Sequence, residues 1–427
     1  MTARPSRRAA LSLLAAGPLA ACSRRGGPGA PLRFWAMGRE GEVARSLTPA
    51  FERATGERVQ VQQLPWSAAH AKLLTAFAGG DLPDVCQIGN TWIAEFVALG
   101  ALARLDGRVA ASAVVAPADD FPGIWRTNVV AGGLYGVPWY VDTRLLFYRR
   151  DLLATAGWTA PPRTWDEWLA AMEAVKRVVG AAGHAALLPL NEPEPLLTLA
   201  LQQADPLLRD GGGRGNFQSA GFKAALAFYA EIFRRGLASP VSDAQIANLY
   251  DEFARGAFSF YVSGPWNLGK FRRRLPPDRQ DIWMTAPMPG PSGLGAGIAG
   301  GASLVMFAGS KNQDAAWQLV EHLSRPTVQA RFAALTGDLP PRRDAWERPP
   351  LVGDPKAAAF RDQLGRVKPA PAVPEWERIA SEMQRLAEQL VIGRLSLDEA
   401  AAEMDRRADR LLEKRRWMLA RAGGGAP

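Results

Sequence analysis

Between residues 32 and 99 the chain switches repeatedly between two hydrophobic periods, and this alternation constrains the fold more than any other feature. Leu32–Ala36 is a short apolar run, and Val43–Ala54 repeats its apolar residues at helical spacing before stopping near Gly56. Arg58–Gln63 alternates with period two, Ala68–Ala78 is helical again, Val85–Ile88 reads as a short buried strand, and Ile93–Leu99 as a helix ending at Gly100. A βαβα order of this kind predicts an α/β lobe with a mostly parallel sheet covered by helices on both faces. With 427 residues, the chain has room for about two to three lobes.

Beyond the Gly132-Gly133 break, Leu134–Val141 and Leu145–Arg149 read as strands. Thr164 with Glu167, and Ser396 with Glu399, have the spacing of capping boxes that open helices. Further helices are predicted at Ser219–Arg235, Asp243–Arg255, Ala315–Leu323, Thr327–Leu335, Glu375–Val391 and from Leu397 to Trp417, with strands at Phe258–Val262 and Ser303–Phe307. No repeat of solenoid period is visible, and residues 421–427 read as a disordered tail.

The N-terminus has the layout of an export signal, residues 1–21. Arg4, Arg7 and Arg8 precede an apolar stretch, Ala9–Ala21, that is too short to span a bilayer. It ends Leu19-Ala20-Ala21-Cys22, which resembles a lipobox, so Cys22 is the expected lipidation site and membrane anchor; an ordinary cleaved signal is the alternative. Ser6-Arg7-Arg8 also partly resembles a twin-arginine start. Residues 22–31, rich in Gly, Pro and Arg, read as a flexible tether. Loss of the signal removes three arginines and no acids, lowering the formal charge from +9 to +6. The remaining basic residues are scattered, which argues against a nucleic-acid partner. With 2 Cys and 3 His, a disulfide scaffold and a Cys/His metal cluster are excluded, and no metal or cofactor is expected.

P-loop, zincin, nucleophile-elbow and kinase signatures are absent. Gly295–Gly300 matches G-x-G-x-x-G but precedes a strand rather than following one, so it reads as a loop of close backbone approach and not as a dinucleotide site. The chain is unusual in having 14 Trp against 6 Tyr. Trp66, Trp92 (beside Asn90 and Thr91), Trp139 (with Tyr140 and Asp142) and Trp266 fall at or just after strand ends, where α/β sheets form ligand crevices. Flat apolar rings beside polar groups suit carbohydrate, whose C–H faces lie on aromatic rings while its hydroxyls need hydrogen-bond partners. Trp158, Trp165, Trp168, Trp317, Trp376 and Trp417 lie in or beside helices and are expected in the core or on helix faces.

Several motifs in order carry a family resemblance. They are Phe51-Glu52-Arg53 through Gly56, Ala78-Gly79-Gly80-Asp81-Leu82-Pro83-Asp84-Val85, Gly136-Val137-Pro138-Trp139-Tyr140-Val141-Asp142-Thr143, Phe147-Tyr148-Arg149-Arg150-Asp151-Leu152, Ser263-Gly264-Pro265-Trp266, Ser310-Lys311-Asn312 with Ala315-Ala316-Trp317, and Leu339-Pro340-Pro341-Arg342. Over nearly the whole mature chain they resemble the extracellular solute-binding proteins (family 1) of carbohydrate ABC transporters, similar to maltose- and trehalose-binding lipoproteins. The resemblance implies two α/β lobes of the periplasmic-binding-protein fold, with residues 32–141 and 302–324 in an N-terminal lobe and 142–301 and 325–420 in a C-terminal lobe. It implies ligand contacts at Arg39, Glu40, His70, Asn90 and its neighbours, Tyr140, Asp142, Trp266, the Gly300-Gly301 backbone and Arg342. Where some relatives carry an aromatic after the Gly-Gly pair, this chain has Ala302.

The function so implied is capture of a mono- or oligosaccharide by cleft closure, without turnover, and delivery to membrane permease subunits driven by a separate ATPase. The expected protein is a monomer, periplasmic or at the cell surface. Two other classes stay open on the residues alone: an exported glycoside hydrolase, which needs a pair of flanking carboxylates, and a lipoprotein that binds a cell-envelope partner.

Overall fold

The N-terminal alternation folds as its periods suggest. In the computed structural model, which describes residues 30–181, 183–242, 245–246 and 248–423, β1 (Leu32–Met37), α1 (Gly38–Thr55), β2 (Val59–Leu64), α2 (Trp66–Ala78), β3 (Val85–Gly89) and α3 (Ile93–Ala98) follow one another. The signal segment, Cys22 and most of the tether lie outside the described residues, as do residues 424–427. After β4 (Val137–Asp142) come β5 (Leu145–Arg149), α4 (Trp165–Val179), β6 (Ala186–Leu187), α5 (Glu194–Leu201), α6 (Ala220–Arg234), β7 (Phe260–Ser263), α7 (Trp266–Arg274) and β8 (Trp283–Ala286). The chain continues through β9 (Gly300–Met306), α8 (Gln313–Leu323), α9 (Pro326–Thr336), α10 (Trp376–Val391), α11 (Leu397–Leu411) and α12 (Glu413–Gly423).

Two sheets organise these elements into the two expected α/β lobes. The first has the order β2-β1-β3-β9-β4 and the second β8-β5-β7-β6. They are mixed rather than mostly parallel. β1 runs parallel to β2 and β3, but β9 is antiparallel to both β3 and β4, and β5 is antiparallel to β7 and β8. The cause is the connection between lobes: β4, β5 and β9 lie beside the crossings themselves and have no crossover helix to return them in parallel.

The first crossing follows β4 through Thr143 and Arg144, and the return enters β9, whose Gly300 and Gly301 pair with Asp142 and Val141. Gly301 has φ +136°, and a Cβ there would lie 2.2 Å from the Tyr140 carbonyl oxygen, so this register requires glycine. The third crossing differs from the expectation at residues 324–325. Helix α9 stays in the N-terminal lobe, where Phe332 stacks on Trp139 with ring centroids 4.5 Å apart and joins the core formed by Phe34, Leu47 and Phe51. The chain leaves that lobe only at Leu339, whose carbonyl accepts from Val141 N–H at 2.9 Å.

Local signals fared well at helix starts. Thr164 Oγ1 accepts from Glu167 N–H at 3.1 Å while Glu167 accepts from Thr164 N–H, and Ser396 and Glu399 repeat the arrangement. Of the helix predicted at Asp243–Arg255, Leu249–Arg255 is helical and the Asn248 side chain caps Asp251 N–H, while Asp243, Ala244 and Ala247 lie outside the described residues. The last predicted helix breaks at Leu412 into α11 and α12, and α12 carries residues 421–423, expected to be disordered, in helical form.

Candidate functional site in the interlobe cleft

The ends of β1, β3 and β4 deliver one wall of a cavity of about 540 Å³ between the lobes. Gly38, Arg39 and Glu40 follow β1, Asn90, Thr91 and Trp92 follow β3, and Tyr140 and Asp142 close β4; Gly300, Gly301 and Asp338 complete that side. The facing wall is built by Arg144, Glu194 at the start of α5, Trp266 and Lys270 on α7, and Trp376 and Glu377 on α10. Three of the cleft tryptophans occupy the first position of a helix: Trp66, Trp266 and Trp376. Each follows a proline by one or two residues, in Pro65-Trp66, Pro265-Trp266 and Pro374-Glu375-Trp376. Proline fixes the entry of the helix and so aims the first-turn ring at the lobe boundary.

The aromatic groups are fixed from behind. Trp92 meets Trp66 edge-on at 5.7 Å, and His70 meets Trp92 at 5.0 Å. Gly264 leaves room for the Trp266 ring, which an added Cβ would approach to 1.9 Å. Tyr140 Oη accepts from Gln87 Nε2 at 3.1 Å, and burial raises its pKa well above the ordinary value. Across the lobes, Asn90 Nδ2 donates to the Ala299 carbonyl at 2.9 Å, and Thr91 and Glu377 both line the cavity.

Electrostatically the cleft combines carboxyl groups with a few committed cations. Burial raises the pKa of Asp142, an effect opposed by Arg144, whose Nε lies 3.7 Å from Asp142 Oδ1. Asp142 Oδ1 is buried without a hydrogen-bond partner and is available to one. Burial opposes the charge on Arg144, yet Asp142, Glu194 and Glu192 together hold its pKa above the ordinary value. Burial also raises Glu40 and Glu377 and lowers Lys270. Among the described residues, no group of three or more His, Cys, Asp or Glu side chains is arranged to hold a metal ion.

The cleft brings together Arg39, Glu40, Trp66, Asn90, Thr91, Trp92, Tyr140, Asp142, Trp266, Gly300 and Gly301 from the sequence expectation. Three other expected contacts lie elsewhere. Trp139 is wholly buried between Phe34 and Phe332, because alternation along β4 points it into the core while Tyr140 faces the cleft. Arg342 is buried behind the hinge, where it pairs with Asp119 and Asp344 at 3.0 Å and donates to the Ser324 carbonyl at 3.5 Å. His70 stands behind Trp92, with Nε2 2.6 Å from Glu95 Oε2, and does not line the cavity. Sequence reading missed Arg144, Glu194, Lys270, Asp338 and Glu377, while Trp376, expected in the core or on a helix face, is 2% exposed and packs in the C-terminal lobe's core at the border of the cavity.

Two lobes joined by three crossing segments, with rings and carboxyl groups from both facing a shared cavity, define a cleft-binding protein. The chain belongs to the bacterial extracellular solute-binding protein family, whose model matches residues 37–330. It is similar to the structure of the sugar-binding protein MalE from the phytopathogen Xanthomonas citri, with 54% identity, a TM-score of 0.89, and coverage of 92% of this chain and 100% of that one. It also resembles the diacetylchitobiose binding protein DasA of Streptomyces coelicolor, 24% identical over 83% of each chain. The galactooligosaccharide-binding protein of Bacillus subtilis is 22% identical over 92% of this chain and 93% of its own.

Proposed function

We propose that this protein is the substrate-binding component of a carbohydrate ABC importer, capturing a mono- or oligosaccharide in the interlobe cleft and presenting it to permease subunits. The observation that carries this reading is the cavity wall, where Trp66 and Trp92 of one lobe face Trp266 of the other, with Glu40, Asn90, Asp142 and Glu377 between them. Aromatic faces match sugar C–H surfaces, and the carboxyl and amide groups match hydroxyls. Because the two walls belong to different lobes, a bound sugar contacts both only when the cleft closes, and its differential affinity drives that closure. The sugar binding named for the relatives supports the same reading. We further place the chain outside the cytoplasmic membrane as a monomer, lipid-anchored through Cys22 and turning over no substrate.

Intrinsic tryptophan fluorescence titrated with mono- and disaccharides tests the proposal. A saturable change with no release of reducing sugar is expected. Hydrolysis of a bound disaccharide would establish an enzyme instead, and silence across the panel would direct attention to a cell-envelope partner.

A further inference from the structure

Helix α12 has two unlike faces. Leu412 is wholly buried. Hydrogen bonds from Leu412 N–H to the Ala408 carbonyl and from Arg416 N–H to the Leu412 carbonyl, both 2.9 Å, carry the helical register from α11 into α12. The inner face is committed: Arg415 Nε donates to the Gly212 carbonyl and Arg416 Nη1 to the Gly213 carbonyl, each at 3.1 Å, which seats the helix on the C-terminal lobe. The outer face is Lys414, Trp417, Met418 and Arg421, spaced i, i+3, i+4 and i+7 and all exposed. Trp417 is 55% and Met418 44% exposed, and no other large hydrophobic side chain among the described residues is as exposed as Trp417. The Arg421 guanidinium carbon stands 3.7 Å from the Trp417 ring centroid. In steps of four the stripe continues back to Arg410 and Arg406 on α11, whose side chains are 65% and 61% exposed. Both pair with Glu403, which Arg407 also uses, so three guanidinium groups share that carboxylate. Asp409 is taken up by Arg214 and Arg416. Glu413 is the one acid of α12, against Lys414, Arg415, Arg416 and Arg421.

A convex stripe of cations around a Trp and a Met offers no cavity to a small ligand. It suits a flat anionic surface, where an indole settles between headgroups and acyl chains while Lys and Arg meet phosphates. No helix among the described residues is long and apolar enough to cross a bilayer, so α12 would lie along the surface. We propose that the outer face of α12 is a peripheral docking surface for a bilayer of anionic phospholipid. Trp417 and Met418 enter the headgroup region, and Lys414, Arg421, Arg410 and Arg406 face its phosphates. Residues 22–31 can span at most about 35 Å, so a lipid on Cys22 limits how far the lobes stray without fixing which way they face. Docking through α12 sets that orientation. It is independent of what the cleft binds.

Flotation of the mature chain from Ser23, made without lipid, on phosphatidylcholine vesicles with and without phosphatidylglycerol tests the docking. Binding is expected only with phosphatidylglycerol and should weaken as salt is raised, because salt screens exposed charges. Brominated phospholipid in the same vesicles should quench part of the wild-type tryptophan emission, and Trp417→Ser should lose that quenching. Lys414→Gln combined with Arg421→Gln should weaken binding roughly 30-fold, as expected for two cations near an anionic surface. Thermal melts of these variants should match the wild type, since all three side chains are exposed. Absence of binding to the anionic vesicles, equal binding to phosphatidylcholine alone, or binding and quenching unchanged in the variants would overturn the proposal. Self-association that Trp417→Ser abolishes, with no binding to vesicles, would overturn it in favour of an interface between copies of this chain.

Discussion

The guanidinium carbon of Arg144 lies 4.5 Å from the centroid of the Trp266 ring, so the residue that begins the first crossing into the C-terminal lobe also holds that lobe's leading aromatic side chain. Arg144 is held in turn by Asp142, Glu192 and Glu194, at 3.7, 3.9 and 3.6 Å. The stacked cation, itself held by three acidic side chains, fixes the indole beside the first crossing. Trp266→Ala is expected to weaken sugar binding by about 10- to 100-fold, on the order of 1.4–3 kcal/mol, with a small change in Tm because the ring is only partly buried. Fluorescence titration beside a thermal melt checks both parts. Asp142→Ala should likewise abolish sugar binding while the Tm falls little; normal binding would show that Asp142 braces the crossing and does not meet the ligand.

Arg342 should behave in the opposite way. Its guanidinium is buried among Asp119, Asp344 and the carbonyls of Val114 and Ser324, away from the cavity. Arg342→Ala is expected to cost about 2–3 kcal/mol, a value discounted for the partial exposure of both carboxylates. Sugar affinity should stay close to wild type. A variant that melts normally but no longer binds would restore Arg342 to the ligand site.

Trp139→Ala should be more damaging to the fold than to recognition. Removing a fully buried indole from between Phe34 and Phe332 opens a cavity worth about 3–5 kcal/mol. Denaturant unfolding should show the loss in the midpoint, and the residual folded protein should still bind sugar.

Asp120 supplies a pH signature independent of any ligand. Burial pushes its carboxyl up to about 8 from an ordinary 3.8, against the pull of Arg342. Since the folded value is the higher one, the folded chain binds this proton more tightly than the unfolded chain. The resulting stability is complete below pH 3.8 and is lost as the pH rises toward 8. Asp120→Asn removes that dependence, so its Tm should gain on the wild type between pH 5 and pH 8. A constant gap across that range would mean that Arg342 keeps the carboxylate ionised.

The two-lobed α/β architecture was legible because helix and strand periods are local, and both capping boxes formed from four-residue patterns. Strand direction was not legible, since β9 takes its place from a pairing between residues far apart in the chain. The same limit governed the site. Trp66, Trp92 and Trp266 sit where strand-to-loop reading placed them, whereas Trp139 obeyed the side-to-side alternation of β4 and turned inward. Asp338 and Glu377 carry no local mark of their role, because they enter the cleft through the packing of α9 and α10. Arg342 sits in a recognisable motif, and the motif marks a structural brace.

The late return of α9 also bears on the birth of the protein. The N-terminal lobe begins at Leu32 but cannot close its core around Trp139 until Phe332 arrives. A nascent chain emerging in order therefore has no finished lobe until more than three quarters of it has been synthesised. Until then Trp139 lacks the ring that stacks on it, and the half-built sheet waits for both β9 and α9. Completion of the N-terminal lobe is therefore expected late in synthesis, once β9 and α9 can both join it.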